Sequence, residues 1–340
     1  MLRSETTGTW YDMGRQFGET FRAELGQCVA RFTGVLRRNM DDVESVAAAV
    51  RVAVKQQCHD LLEETAGIAA GAEIAEPDLF ALRFYSDIGN WKPGGCSAFF
   101  VLDTDSRPWL ARTCDIEKED HWHQVCHLRR PHAGHATVTT TYLGFAGAVG
   151  INEHGLGIVG VSASARGNDG ATGILSAVLL HRVLNECRDF EEANELLLAE
   201  PVLGKGSVWL VADAAGASAL YQVAPGRRPN VIPRPPAQRW QACTNFQPSP
   251  QVPGTTNATS LYNSYARYGW LSHQLGDGYA ELTAQGLQNV LRGVSQPGPN
   301  IPEGSFPLET AYATLFDLNA RTAYVAGENP NAVPFTQVTL

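Results

Sequence analysis

Gly94-Gly95-Cys96-Ser97-Ala98-Phe99-Phe100-Val101-Leu102, a turn-like Asp103-Thr104-Asp105-Ser106-Arg107-Pro108, then Trp109-Leu110-Ala111-Arg112-Thr113-Cys114-Asp115: this stretch decides how the chain is read. Two short apolar runs flank a polar break, the pattern of two strands joined as a hairpin. The thiol of Cys96 stands at the start of the first strand. Arg112 and Asp115 stand near the end of the second. A hairpin brings those ends together, so a thiol, a guanidinium and a carboxylate can meet at one place.

The rest of the 340 residues sets the frame. The chain is long enough for one large domain or two ordinary ones. With 44% hydrophobic and 18% charged residues it has the composition of a globular protein. A formal charge of -9, with no basic run, argues against a nucleic-acid surface. No apolar run reaches the ~18 residues of a membrane span, and the first residues lack the apolar core of a secretory signal. The seven cysteines are scattered, odd in number and free of any CxxC pair. They are expected to be reduced thiols, and the chain cytoplasmic.

Apolar spacing predicts helices over 10–38, 42–65 and about 63–72, then one opened by Pro77. After Gly94 the texture turns to short strands at 96–102, 108–114, 136–143, 146–151, 155–162, 207–213 and 217–223. One long helix is expected at about 173–199. An irregular, proline-rich excursion follows at 224–260, then helices at 262–275 and 279–293 and a closing hairpin through Asn319-Ala320. Blocks of helices alternating with blocks of strands fit one α+β domain, with helices packed on antiparallel sheets.

Taken in order, these residues resemble the cysteine N-terminal-nucleophile (Ntn) hydrolases. The similarity is to the acyl-coenzyme A:6-aminopenicillanic acid acyltransferase family and to the choloylglycine hydrolase/penicillin V acylase group. Gly95-Cys96 with Arg112-Thr113-Cys114-Asp115 looks like their nucleophile segment. Glu64–Glu73 with Pro77–Leu82 looks like the propeptide helices. Gly150–Gly157 is similar to the hairpin leading to the oxyanion region. Thr244-Asn245 matches a motif with a catalytic asparagine, Ser264–Tyr268 a Ser-x-x-Arg-aromatic motif, and Val325–Pro330 the closing strand. Phe246 stands where the acyltransferases usually carry histidine, and Ser162 about where the other group carries tyrosine or asparagine.

The resemblance implies an αββα four-layer sandwich and self-cleavage of Gly95–Cys96. Residues 1–95 would be a helical α chain and 96–340 a β chain, together one domain. It implies Cys96, Arg112, Asp115, Asn245 and Arg267 as catalytic residues, with Ser162, Ser164 and Phe246 in the oxyanion and substrate region. No cofactor or metal is expected. The partner is a small-molecule amide or acyl donor, and a homo-oligomer is left open. A thiol has a pKa of about 8.5 and an α-amine one of about 8. A terminal Cys96 would therefore carry its own general base. Arg112 is expected to keep Asp115 ionised and to favour the thiolate. Asn245 would donate to the oxyanion. Gly95 would let a strained backbone sit beside the thiol.

Three functions follow from this reading: an amide hydrolase, an acyl-coenzyme A-type N-acyltransferase with the same acyl-enzyme, and an uncleaved binding protein on the same fold. Free cysteine is ordinarily a small buried hydrophobe, and the six cysteines other than Cys96 keep that reading. A rival site is the histidine-rich stretch with His121, His123, Cys126, His127, His132 and His135. It lacks paired CxxC or HExxH spacing and is expected to be a surface strand and turn.

Overall fold

The computed structural model describes residues 1–89, 94–117, 123–168, 170–255, 258–278, 281–296 and 308–340. Strand β1 (Leu2–Gly8) precedes helices α1 (Trp10–Thr20), α2 (Arg22–Asn39), α3 (Val43–Gln57), α4 (His59–Ala72), α5 (Glu76–Arg83) and α6 (Tyr85–Ile88). Strands β2 (Gly95–Leu102), β3 (Pro108–Glu117), β4 (Gln124–Pro131), β5 (Thr137–Tyr142), β6 (Val149–Asn152), β7 (Gly157–Ser162) and β8 (Ile174–Leu175) come next. Then follow α7 (Ser176–Glu186), α8 (Phe190–Ala199), β9 (Val202–Leu203), β10 (Ser207–Ala212), β11 (Ser218–Val223), β12 (Asn230–Pro233) and β13 (Trp240–Thr244). The chain closes with α9 (Ala258–Gly276), α10 (Ala284–Val294), β14 (Leu308–Asp317), β15 (Thr322–Ala326) and β16 (Thr336–Thr339).

The strands form an eight-stranded sheet, β1-β4-β5-β6-β7-β10-β11-β12, and a six-stranded sheet, β13-β2-β3-β14-β15-β16, with β8 and β9 as a small pair. Three apolar cores define four layers. Helices α1–α8 cover the outer face of the larger sheet through Phe17, Leu25, Leu61, Val178, Trp209 and Tyr221. Between the sheets lie Ala98, Phe100, Leu110, Val138, Val159 and Leu210. Helices α9 and α10 cover the smaller sheet through Phe99, Trp109, Leu271, Leu287 and Leu315. Side chains alternate along a strand, so Ala98 and Phe100 enter the inter-sheet core while Phe99 and Val101 meet the helices. Both faces are covered, and the strand is accordingly buried along nearly its whole length. The architecture is αββα, the four-layer order that the resemblance implies.

The β2–β3 hairpin is set by Asp103. One carboxylate oxygen accepts from the backbone N–H of Asp105 (2.9 Å) and of Arg107 (2.9 Å); the other accepts from Trp109 Nε1 (3.1 Å). Ser106 completes the turn at φ 64°. This fixes the register that pairs Gly95 with Asp115 and Cys96 with Cys114. Helices α1 and α4 touch backbone to backbone. A Cβ on Gly67 would lie 2.1 Å from Tyr11 O, and one on Gly14 would lie 2.3 Å from Glu64 O.

Several elements differ from the sequence reading. The 10–38 helix breaks at Phe21 (φ -119°, ψ 32°), and the next region breaks at Cys58. Residues 173–199 form two helices, the second capped by the Asp189 side chain on Glu192 N. The 224–260 excursion contains β12 and β13. Among its described residues, the histidine-rich stretch carries an interior strand rather than a surface one. β4 is an interior strand between β1 and β5, and its charged Arg129 is buried because Glu64 meets it.

Candidate active site

Cys96 sits on β2 with its side chain on the inter-sheet face, opposite Cys114 of β3. Arg112, two residues before Cys114, shares that face. Its Nη2 lies 3.5 Å from Cys96 Sγ, and its Nη1 donates to Tyr312 Oη at 2.7 Å. The Cys96 thiol is held well below its ordinary range. A hydrogen bond from the Cys114 thiol is the main cause, opposed by burial and reinforced by the Arg112 guanidinium. The same interaction pushes Cys114 well up.

Asp115 lies on the opposite face, wholly buried. It accepts from Thr310 Oγ1 (2.7 Å) and Gln296 Nε2 (3.1 Å), and Arg267 Nη1 is 4.0 Å away. Burial raises its pKa to about 6, against the pull of Arg267. The expected pairing of Arg112 with Asp115 is thus replaced. Three residues of alternation send these two side chains to opposite faces, and Arg267 is the cation of Asp115.

Asn245 arrives just past β13, which pairs with β2 so that Thr244 faces Ser97. Thr244 is fastened to α9: its Oγ1 donates to Ser264 O (2.8 Å) and accepts from Ser264 Oγ (2.9 Å). The Asn245 Oδ1 accepts from the Cys96 N–H (2.7 Å) and from Arg267 Nη2 (2.7 Å). Its Nδ2 donates to Ser162 O (2.7 Å) and to Ser162 Oγ (3.2 Å). Arg267, from α9, also donates to the Cys96 carbonyl and to Ser97 Oγ (3.0 Å), while its Nε reaches Asn263 Oδ1 (2.8 Å). Asn263 in turn donates to Gln296 (2.9 Å). A hydrogen-bonded polar chain, buried except at half-buried Asn263, therefore runs from Asp115 through Gln296, Asn263, Arg267 and Asn245 to Cys96.

Gly95 needs its missing side chain for space. A Cβ there would meet Leu308 Cδ1 at 3.0 Å, and Asp115 Cβ and Gln296 Nε2 at 3.2 Å each. It is not among the positive-φ glycines, so the expected strained backbone is not present. The structure brings Cys96, Arg112, Asp115, Asn245, Arg267 and Ser162 together. Phe246 instead packs its ring on α9, 4.6 Å from Tyr265 and 5.5 Å from Tyr268 between centroids. Ser164 ties its carbonyl to Thr255 N (3.0 Å) in the neighbouring loop.

Sequence reasoning placed Cys114 in the core and did not single out Thr310, Gln296 or Asn263. Counting pairs outward from the Asp103–Arg107 turn would have found Cys114. The other three have no sequence signal. Of the histidine stretch, His121 lies outside the described residues. His127 is buried against Phe17 and Thr6, and Cys126 faces the inter-sheet core. His135 groups instead with Glu153 and His154.

The acyl-coenzyme A:6-aminopenicillanic acid acyl-transferase family model matches residues 102–332. The chain belongs to that family. The matched range starts within β2, just downstream of Cys96. Membership in this acyl-transferase family makes the chain an enzyme of the Ntn acyl-transferase type. Among solved structures it is similar to a mutant of the conjugated bile acid hydrolase from Clostridium perfringens. Identity is 14% and the TM-score 0.48, over 72% of this chain and 92% of that one. It is also similar to penicillin V acylase from Agrobacterium tumefaciens, with 16% identity and a TM-score of 0.46 over 68% and 83%. No curated protein matches. Among the described residues, no helix is long and apolar enough to cross a membrane.

Proposed function

We propose that this member of the family cuts itself between Gly95 and Cys96, and that Cys96 is then the nucleophile of an amidase or acyltransferase acting on a linear, small-molecule amide. The observation that carries the reading is convergence on one residue. The Cys96 thiol faces Arg112, its N–H rests on Asn245, and its carbonyl rests on Arg267. A cavity of about 210 Å³ beside Arg112 and Ser162 suits a small molecule.

In maturation, Sγ attacks the Gly95 carbonyl carbon. The peptide C–N bond breaks, the nitrogen takes the thiol proton, and Gly95 is left as a thioester on Sγ. Water opens that thioester, releasing the Gly95 carboxylate and a free Cys96 thiol and amine. Residues 1–95 and 96–340 then form the two chains.

In turnover the terminal amine removes the thiol proton, and Arg112 stabilises the thiolate. Asp115, kept charged by Arg267, holds the resulting ammonium. Sulfur adds to the substrate amide, and the oxyanion takes a hydrogen bond from Asn245 Nδ2 in place of the longer Ser162 Oγ contact. The leaving amine departs with a proton from the ammonium. The acyl thioester then passes to water or to an amine.

The test is acid-quenched intact mass during turnover of a panel of small chromogenic amides. One acyl group should appear on the 96–340 chain, be released by hydroxylamine as the hydroxamate, and be absent in Cys96→Ala. With excess thioester donor and an amine, net amide formation marks transfer and acid release marks hydrolysis. Turnover by Cys96→Ala would refute the proposal. An uncut chain that takes no acyl group would favour the binding protein.

A further inference from the structure

The cavity beside Arg112 runs between the larger sheet and the helices that cover it. Arg112 and Ser162 stand at one side; Ser176 and Lys205 line it further on, and α5–α6 contribute Arg83 and Asp87. The cavity reaches Arg112, whose Nη2 is 3.5 Å from Cys96 Sγ.

The charges around it do not balance. Arg83 shares the one carboxylate of buried Glu64 with Arg129. Arg112 already faces Tyr312 Oη and the thiol. Asp87 accepts from Ser176 Oγ (3.1 Å) and from the backbone N–H groups of Ser176 and Ala177, so it caps the first turn of α7. Arg83 and Arg112 each keep one unpartnered Nε but bond through their other nitrogens, whereas Lys205 has a single charged nitrogen and no bond to it. Its Nζ is shut off from solvent and has no hydrogen-bond partner among the described residues. Burial lowers its ammonium to about 7, only partly offset by Asp87. Burying such a group without a partner is costly, and an anion entering the cavity would remove that cost.

We infer that Lys205 receives a carboxylate of the substrate, so that the preferred amides carry an acidic group remote from the bond that is cut. This rests on Cys96 being the nucleophile. A neutral polar group would leave the ammonium with only the partial compensation of Asp87. The inference predicts charge recognition, with arginine able to substitute for lysine.

The test does not require turnover. The rate at which Cys96 is labelled is measured by intact mass with 6-maleimidohexanoic acid and with its methyl ester, which differ only in the remote charge. The purified wild-type chain should prefer the acid by roughly ten- to hundredfold, the range of a hydrogen bond to a charged group. Lys205→Met should lose that preference and Lys205→Arg should keep it, with thermal unfolding confirming that both variants fold. Equal rates in the wild type overturn the inference. So does an acid preference that survives in Lys205→Met, which would place recognition on Arg112 alone. A thiol that neither reagent labels until the chain is denatured also overturns it, since the cavity would not then reach Cys96. Acid-selective labelling without any acyl-enzyme on amides would sink the catalytic reading and leave the anion site standing.

Discussion

Cys96 and Asp115 lie on opposite faces of one hairpin, so the site uses two cations for two tasks. Arg112 acts on the thiol from the inter-sheet side, and Arg267 acts on the carboxylate from the helix side. Burial sets the pKa of Asp115 at about 6, so the carboxylate is charged above that pH and loses its charge as pH falls through it. Turnover of a small chromogenic amide by the matured chain should therefore slow below about pH 6. Thr310→Val removes a hydrogen bond to the charged form and should move that limb to higher pH. Asp115→Asn should abolish the limb and slow turnover by about 10²–10³. A limb that stays put in both variants would take Asp115 out of the reaction. The reactive residues were legible in the sequence as types at a spacing. Their pairing was not, because which face a strand residue takes depends on a register that Asp103 sets through its own hydrogen bonds.

At the level of elements, the hairpin strands could be read because a short, unbroken apolar run bounded by turn residues marks a strand covered on both faces. β4 could not, since Arg129 and His127 look like surface residues until Glu64 and Thr6 are placed against them. β13 was hidden by flanking prolines, yet it is the strand that delivers Asn245 to Cys96. The missed β1 is an edge strand pairing in parallel with β4, and its alternating polar residues carry little apolar signal. The helix break at Phe21 has no proline or glycine to announce it. The α1–α4 contact rests on glycines, which in isolation merely weaken a helix. Gly67→Ala would force a methyl group onto the Tyr11 carbonyl. It should lower stability by about 1–3 kcal/mol, read as a lower urea midpoint at unchanged slope. An unchanged midpoint would show that the two helices can separate at no cost.

Across the whole molecule, one buried cluster joins the segments on either side of the proposed cut. Glu64 of α4 meets Arg83 of α5 and Arg129 of β4. Burial alone would raise the Glu64 pKa, but Arg83 and Arg129 hold it at about 2, while His127 and His181 beside them are kept neutral by burial. A depressed carboxylate stabilises the fold above its ordinary range, and that contribution fades as pH falls from about 4.5 toward 2. Glu64→Gln leaves two buried guanidinium groups short of their partner. It should cost about 3–5 kcal/mol and make the 1–95 and 96–340 chains separable on gel filtration in mild urea, where the wild-type chains co-elute. Co-elution of the variant under the same conditions would show that the cluster does not hold them together. The αββα order was legible in the sequence through family motifs in the right order. This ion cluster was not, since its members are far apart in the chain. The central claim is the cut itself, and intact mass with N-terminal sequencing of the purified chain tests it most directly. The account predicts two fragments, the second beginning Cys-Ser-Ala-Phe-Phe, and a single full-length chain for Cys96→Ala. An uncut wild-type chain that nevertheless hydrolyses amides would contradict it.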